Sequence, residues 1–253
     1  MLTVSSAQLN AWMVALLWPA ARILALLTVS PLFGHTSVPM RVKLGLGLLL
    51  ALAISPAVPT SVSPLSANGL MILVQQILTG LALGFVMRIA FAGIELAGEL
   101  AGLTMGLSFA SLFDPLSEHE ATVTSQLFGW LALLVFVASN LHLAALAALA
   151  DSFTYLPISA IPMGTGFFRQ LAMMGGQLFA SGLQLAMPIV AALLITNLAL
   201  GILTRAAPQL NLFGVGLPVT LALGFLMIAL VLPYLTHPLI AVLQSATAAM
   251  ALR

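Results

Sequence analysis

The sequence predicts an all-α fold of membrane type, built from helical hairpins, and three observations carry that prediction. Of 253 residues, 62% are hydrophobic and only 5% charged, with a mean hydropathy of +1.19, whereas ordinary soluble domains hold roughly 25% charged residues. A chain so poor in charge cannot cover a water-facing surface, so lipid or protein must hide much of it. Apolar runs near the length needed to cross a bilayer, about 20 residues, recur from end to end without a long polar linker, which favours a single domain. Strand-type alternation is missing, which argues against a β-barrel.

Taken in order, the expected spans are Trp12–Val29, Leu44–Val58, Leu70–Ala92, Gln126–Ala150, Leu171–Leu203 and Val215–Leu235. The second is short and the fifth long. A further helix-like segment from Gly93 to Ala110 is apolar but carries Glu95 and Glu99. Breaks are expected where proline removes a donor and glycine frees the backbone: Ser30-Pro31, Val58–Pro64, Asp114-Pro115, Pro157–Gly166 and Pro208–Gly216. With six crossings, Arg41, Lys43 and Arg205, with Arg88 close by, fall on one side, and Arg169 and Arg253 on the other. By the positive-inside rule this small margin puts the N-terminus outside.

Several functional classes are disfavoured. A net charge of +1 provides no basic field for nucleic acid. With no cysteine, disulfides, thiolate metal sites and cysteine nucleophiles are excluded together. Met1 to Asn10 is polar and uncharged, unlike the positive start of a cleavable signal peptide. No Gly-x-Ser-x-Gly, His-Glu-x-x-His or phosphate-binding loop motif occurs, and His35, His119, His142 and His237 are scattered. The expectation is a chain that is not an enzyme and binds no cofactor.

Glycines and misplaced charges carry the remaining information. Gly98, Gly102 and Gly106 recur every fourth residue, and Gly80 and Gly84 repeat that spacing earlier. Such stripes line one helix face and let another backbone approach, either within the chain or from a partner subunit. Arg22, Arg88, Glu95, Glu99, Asp151 and Arg205 lie in or beside apolar runs. Facing lipid, each would cost about 2.5–3.5 kcal/mol on insertion scales, so they are expected to face protein or a watery path. Glu95 and Glu99, four apart, share a face and repel unless solvated or paired. Structural pairing and a proton or ion relay are both open readings of these charges.

The stretch from Leu107 to Thr122 sets Phe109 and Phe113 beside Asp114, Glu118, His119 and Glu120. Neighbouring residues on a helix point apart, and no second histidine sits at helical spacing, so no metal site is expected. A solvated loop is the simple reading. A loop with two large rings between membrane helices can also fold back into a pore and block it.

Four segments in order resemble the FliR family of flagellar export-gate proteins, whose counterpart in virulence type III secretion is SctT. They are Arg22 through Ser30-Pro31-Leu-Phe-Gly34 with Val38-Pro39 and Arg41; the glycine-rich stretch Glu95 to Gly106 leading to Asp114-Pro115; His142 followed by Asp151-Ser152-Phe153 and Pro157; and Pro208-Gln-Leu-Asn-Leu-Phe213 with Gly216-Leu217-Pro218. Order and spacing hold from about residue 20 to 235. The chain departs from the pattern at Leu141, where the family often has glycine, and at Val219-Thr220, where many relatives carry lysine. Gly216-Leu217-Pro218 favours the flagellar branch.

The resemblance implies a pore-forming subunit of the type III export gate, conducting unfolded flagellar proteins across the bacterial inner membrane at the flagellar basal body. It implies one copy in a helical assembly with several FliP-type and FliQ-type membrane proteins, wrapped by a FlhB-type protein and displaced outward from the membrane plane. Residues 1–165 would be FliP-like and 166–253 FliQ-like. A plug loop maps onto Gly106 to Thr122, with Phe109, Phe113 and Asp114 as the plug residues. Gly98, Gly102 and Gly106 would permit close helix packing, and Arg88, Glu95, Glu99, Asp151 and Arg205 would make charge contacts inside the complex. The alternative, from another class, is a secondary transporter moving a small solute with protons through Glu95, Glu99 or Asp151; it usually shows repeated halves, and no internal repeat is evident.

Overall fold

The computed structural model describes residues 6–35, 37–54, 64, 66–107, 122–159, 165–207 and 212–250. All regular structure among them is helical: α1 (Ser6–Val29), α2 (Met40–Ile54), α3 (Ala67–Met105), α4 (Val123–Ala138), α5 (Leu141–Tyr155), α6 (Thr165–Ala206) and α7 (Leu217–Met250), with a π-helical turn at Leu212–Gly216 before α7. The all-α expectation holds. Among the described residues three stretches are long and apolar enough to cross a membrane, Ala67–Met105, Leu171–Ala206 and Gly214–Met250, and the α4–α5 pair, bent by 72°, makes a fourth if it is one broken span.

Element boundaries differ from the sequence-based expectation in three places. Leu70–Ala92 and the segment after Gly93 form one helix of 39 residues, because no proline interrupts them and Gly93 is seated against Ser181 and Leu178 of α6. The span expected at Gln126–Ala150 is two helices, α4 and α5, parted at Ser139 and Asn140. Asn140 takes the left-handed conformation (φ 56°), which Asn tolerates better than most residues. The last span runs past Leu235 to Met250, through Pro233 and Pro238. Pro19 and Pro188 likewise sit inside α1 and α6. Membrane-type helices accept proline because neighbouring groups re-satisfy the freed carbonyls.

The helices gather into two compact units, each assembled from separated stretches. Unit 1 holds Met1–Ile89, Asn140–Met174 and Gln244–Arg253; unit 2 holds Ala90–Ser139 and Gly175–Leu243. In unit 1 the buried side chains include Trp18, Arg22, Ile23, Leu27, Leu83 and Leu149. Close approach of α1 and α3 depends on Gly80, where a Cβ would strike the backbone carbonyl of Arg22, and on Gly84, against Leu26 and Val29. Gly47 of α2 seats on Leu24 and Leu27 of α1 in the same way. In unit 2 the buried side chains include Ile94, Met105, Phe128, Ile189 and Leu193, and Phe91 meets Phe136 edge-to-face with centroids 5.6 Å apart, a favoured aromatic geometry.

Outside these contacts the long helices are thinly covered. In their most apolar windows only 28% of Leu171–Ala206 and 22% of Gly214–Met250 is buried, against 50% for Ala67–Met105. Ile195, Leu198 and Phe179 are among the exposed side chains. Patches this large need lipid or protein over them.

Candidate functional site

Two polar constellations stand out in these apolar units, one in each. In unit 1 the centre is Arg22, fully buried in α1. Its Nε donates to Gln76 Oε1 of α3 at 2.8 Å. Its Nη1 donates to the Ser152 carbonyl at 2.9 Å and to Ser152 Oγ at 3.1 Å, and its Nη2 to the Leu156 carbonyl at 2.7 Å. The guanidinium carbon also lies 4.2 Å from the centroid of the Phe153 ring, a cation–π contact.

These acceptors are neutral, and a lone buried cation is costly. The compensation lies in where they sit. Leu156 caps α5, and Ser152 O and Leu156 O belong to its final turn and cap. A helix end of this kind carries about half a negative charge. Arg22 therefore acts as a C-cap supplied from another helix, its planar fork spanning two carbonyls that a point-like ammonium could not reach together. Ser152 Oγ passes its own hydrogen to Leu149 O at 2.6 Å, leaving its lone pairs for the arginine. Trp18, one turn earlier on α1, is also buried, and its Nε1 has no hydrogen-bond partner among the described residues.

In unit 2 the last turns of α3 meet the first turn of α4. Gly98 and Gly102 face Thr124: a Cβ at Gly98 would strike its backbone carbonyl, and one at Gly102 its hydroxyl. That closeness brings Glu99 to the start of α4, where Thr122 Oγ1 donates to Glu99 Oε2 at 2.7 Å. Thr122 Oγ1 also accepts the Ser125 amide at 3.2 Å as the N-cap of α4, and lies 3.2 Å from Thr124 Oγ1. Ser125 Oγ donates to the Glu95 carbonyl at 3.0 Å, and the Glu95 carboxylate packs over Gly129, 3.3 Å from where a Cβ would sit. A carboxylate beside a helix N-terminus is favoured by the macrodipole. Both α3 acids thus lie against α4 rather than lipid. Elsewhere along α3, Gly182 of α6 seats against the Gly93 carbonyl, and Thr220 of α7 donates to the Met105 carbonyl at 3.2 Å.

The remaining site residues expected from the sequence fall elsewhere. Phe109, Phe113 and Asp114 lie outside the described residues. Gly106 follows the end of α3 with φ 88°, so it terminates the helix in a conformation that suits glycine. Arg88 and Asp151 are exposed on their helices, and Arg205 is exposed in the last turn of α6, where a cation suits the helix end. Asp151 drew attention in the sequence, but its neighbours Ser152 and Phe153 hold Arg22. The sequence signal for the unit 1 node was present in Arg22 itself, a cation within an apolar run, yet no spacing rule joins it to acceptors 54, 130 and 134 residues away.

A chain whose described regular structure is all helical, with thinly covered helices of membrane-spanning length, is a membrane-type helical protein. It matches the family of bacterial export proteins, family 1, over residues 13–246, and the chain belongs to that family. It is 46% identical to the flagellar biosynthetic protein FliR of Pectobacterium carotovorum over 234 residues, covering 92% of this chain and 90% of the relative. FliR of Escherichia coli K12 is 44% identical over the same coverage, and FliR of Bacillus subtilis 31% identical over 82% of each chain.

Proposed function

We propose that the chain is a pore-forming subunit of the flagellar type III export gate, passing unfolded flagellar proteins across the inner membrane at the basal body. The observation that carries the reading is kinship with FliR along almost the whole length together with apolar faces on α6 and α7 that the chain itself leaves open. Those faces suit FliP-type and FliQ-type partners, with a FlhB-type protein outside them. In this reading residues 1–165 correspond to the FliP-like part and 166–253 to the FliQ-like part, and Phe109, Phe113 and Asp114 belong to the plug. Gly98 and Gly102 set the backbone distance between α3 and α4. Arg88, Asp151 and Arg205, exposed in the isolated chain, are charge contacts to partner subunits, while Glu95 and Glu99 act within it. The chain itself performs no chemistry.

Co-expression tests this. Alone, the chain should aggregate or be degraded; with FliP-type and FliQ-type proteins it should purify as one monodisperse complex whose intact mass includes this subunit. A long-lived monomer in detergent, indifferent to those partners, would contradict the proposal.

A further inference from the structure

The end of α3 is held by α7. The last carbonyls of a helix have no donor within it, and here the final turn tightens, the Gly106 amide donating to the Leu103 carbonyl at 3.1 Å with Gly106 at φ 88°. Met105, the last residue of α3, is fully buried, and two residues of α7 receive it. Thr220, also buried, shares its hydroxyl hydrogen between the Met105 carbonyl at 3.2 Å and the Leu217 carbonyl at 3.0 Å. Gly224, one turn further on and on the same face of α7, is the notch for the Met105 side chain: a Cβ there would overlap its Cγ, Sδ and Cε. Backbone and side chain of one residue are thus fixed by two residues of another helix. The chain leaving α3 has its starting point and direction set at that contact.

The return into α4 is anchored differently. Thr122, its N-cap, is tied to Glu99 of α3 itself, whereas the outgoing end is held from α7. We propose that Thr220 and Gly224 are positioning residues for the plug: acting through Met105, they fix where the stretch between α3 and α4 begins, and so keep the pore shut. The inference rests on the reading of Gly106 to Thr122 as the plug. A contact that only stabilised the fold would show in assembly, whereas a positioning contact shows in the tightness of complexes that have already assembled.

The test uses the full chain expressed with its partners, reading ion or small-dye leak per assembled complex, with complex yield measured in parallel. T220V is nearly isosteric and removes the hydroxyl. One lost hydrogen bond shifts a two-state balance roughly fivefold, so the leak should rise about fivefold at near wild-type yield. T220S keeps the hydroxyl and should stay tight. G224A displaces Met105 from its notch and should leak at least as much as T220V; adding M105A removes the clash and should bring the leak back down. F109A with F113A serves as the reference for the plug itself. If that double change leaks while T220V and G224A stay tight, the positioning role is wrong and the plug reading stands. If the double change is tight as well, both are wrong. Lower yield in T220V and G224A with no added leak per complex would make the contact purely structural, and would equally overturn the inference.

Discussion

Replacing Arg22 by methionine keeps most of the side-chain volume and removes the cation and every donor. The Ser152 carbonyl retains a partner, since it also accepts the Leu156 amide at 2.9 Å. Gln76 Oε1 and the Leu156 carbonyl lose the arginine N–H groups that serve them. An orphaned buried acceptor costs about 1–3 kcal/mol, and the lost contact with Phe153 adds roughly 0.5–2 kcal/mol. With two acceptors orphaned, the expected loss is therefore about 2.5–8 kcal/mol, enough to lower the melting midpoint of a chain this size by on the order of 10 °C. R22K keeps the charge but reaches fewer acceptors and should fall about halfway. S152A removes only the Oγ contacts and leaves its carbonyl in place, so it should cost about 1 kcal/mol. The assay is thermal unfolding of the purified complex, with yield measured in parallel. If R22M melts with wild type, or if S152A is worse than R22M, the guanidinium is not the cap of α5 and the reasoning fails.

Three further outcomes are expected. G98A should lower complex yield more than G102A, because the added methyl meets a backbone carbonyl in the first case and a hydroxyl that can rotate in the second; overpacking of this sort costs typically about 1–3 kcal/mol, and equal yields would remove the packing role. E99Q keeps an acceptor for Thr122 and should assemble nearly normally, whereas E99A should lose about 1 kcal/mol or more of stability, read as the same melting shift. The double change F109A with F113A should leave assembly intact and make cells expressing the full partner set leaky to ions or small dyes; reduced yield instead would mark the rings as core, since a truncated buried Phe costs roughly 3–5 kcal/mol.

The chain's apolar runs were legible because hydropathy over about 20 residues is a local property, and the three long stretches fall within or around the expected spans. Boundaries were legible only where the break is also local. Asn140 parts α4 from α5 without a proline or glycine to announce it, while Pro233 and Pro238 announce breaks that α7 does not make. The same division holds for the polar residues. The four-residue spacing of Gly98 and Gly102, and of Glu95 and Glu99, placed them on shared faces of one helix, but their common neighbour, the start of α4, came from tertiary packing. In sequence Thr122 is only the tail of the expected loop. Val219-Thr220, a departure from the family pattern in sequence, places a hydroxyl on the last carbonyl of α3. Arg22 was visible as an anomaly, and its acceptors were not, since two are backbone carbonyls that carry no sequence signature.

The arginine cap also has a temporal side. Ser152 follows Arg22 by 130 residues and Leu156 by 134. At a synthesis rate of about 5–20 residues per second, the guanidinium exists for roughly 7–26 s before the carbonyls that receive it leave the ribosome. Over that interval α1 has a polar passenger that opposes full entry into lipid, worth about 2.5–3.5 kcal/mol at the bilayer centre. Until α5 arrives the first helix carries a cation without its cap, so the order of translation, as well as the hydropathy of α1, bears on when that helix can seat.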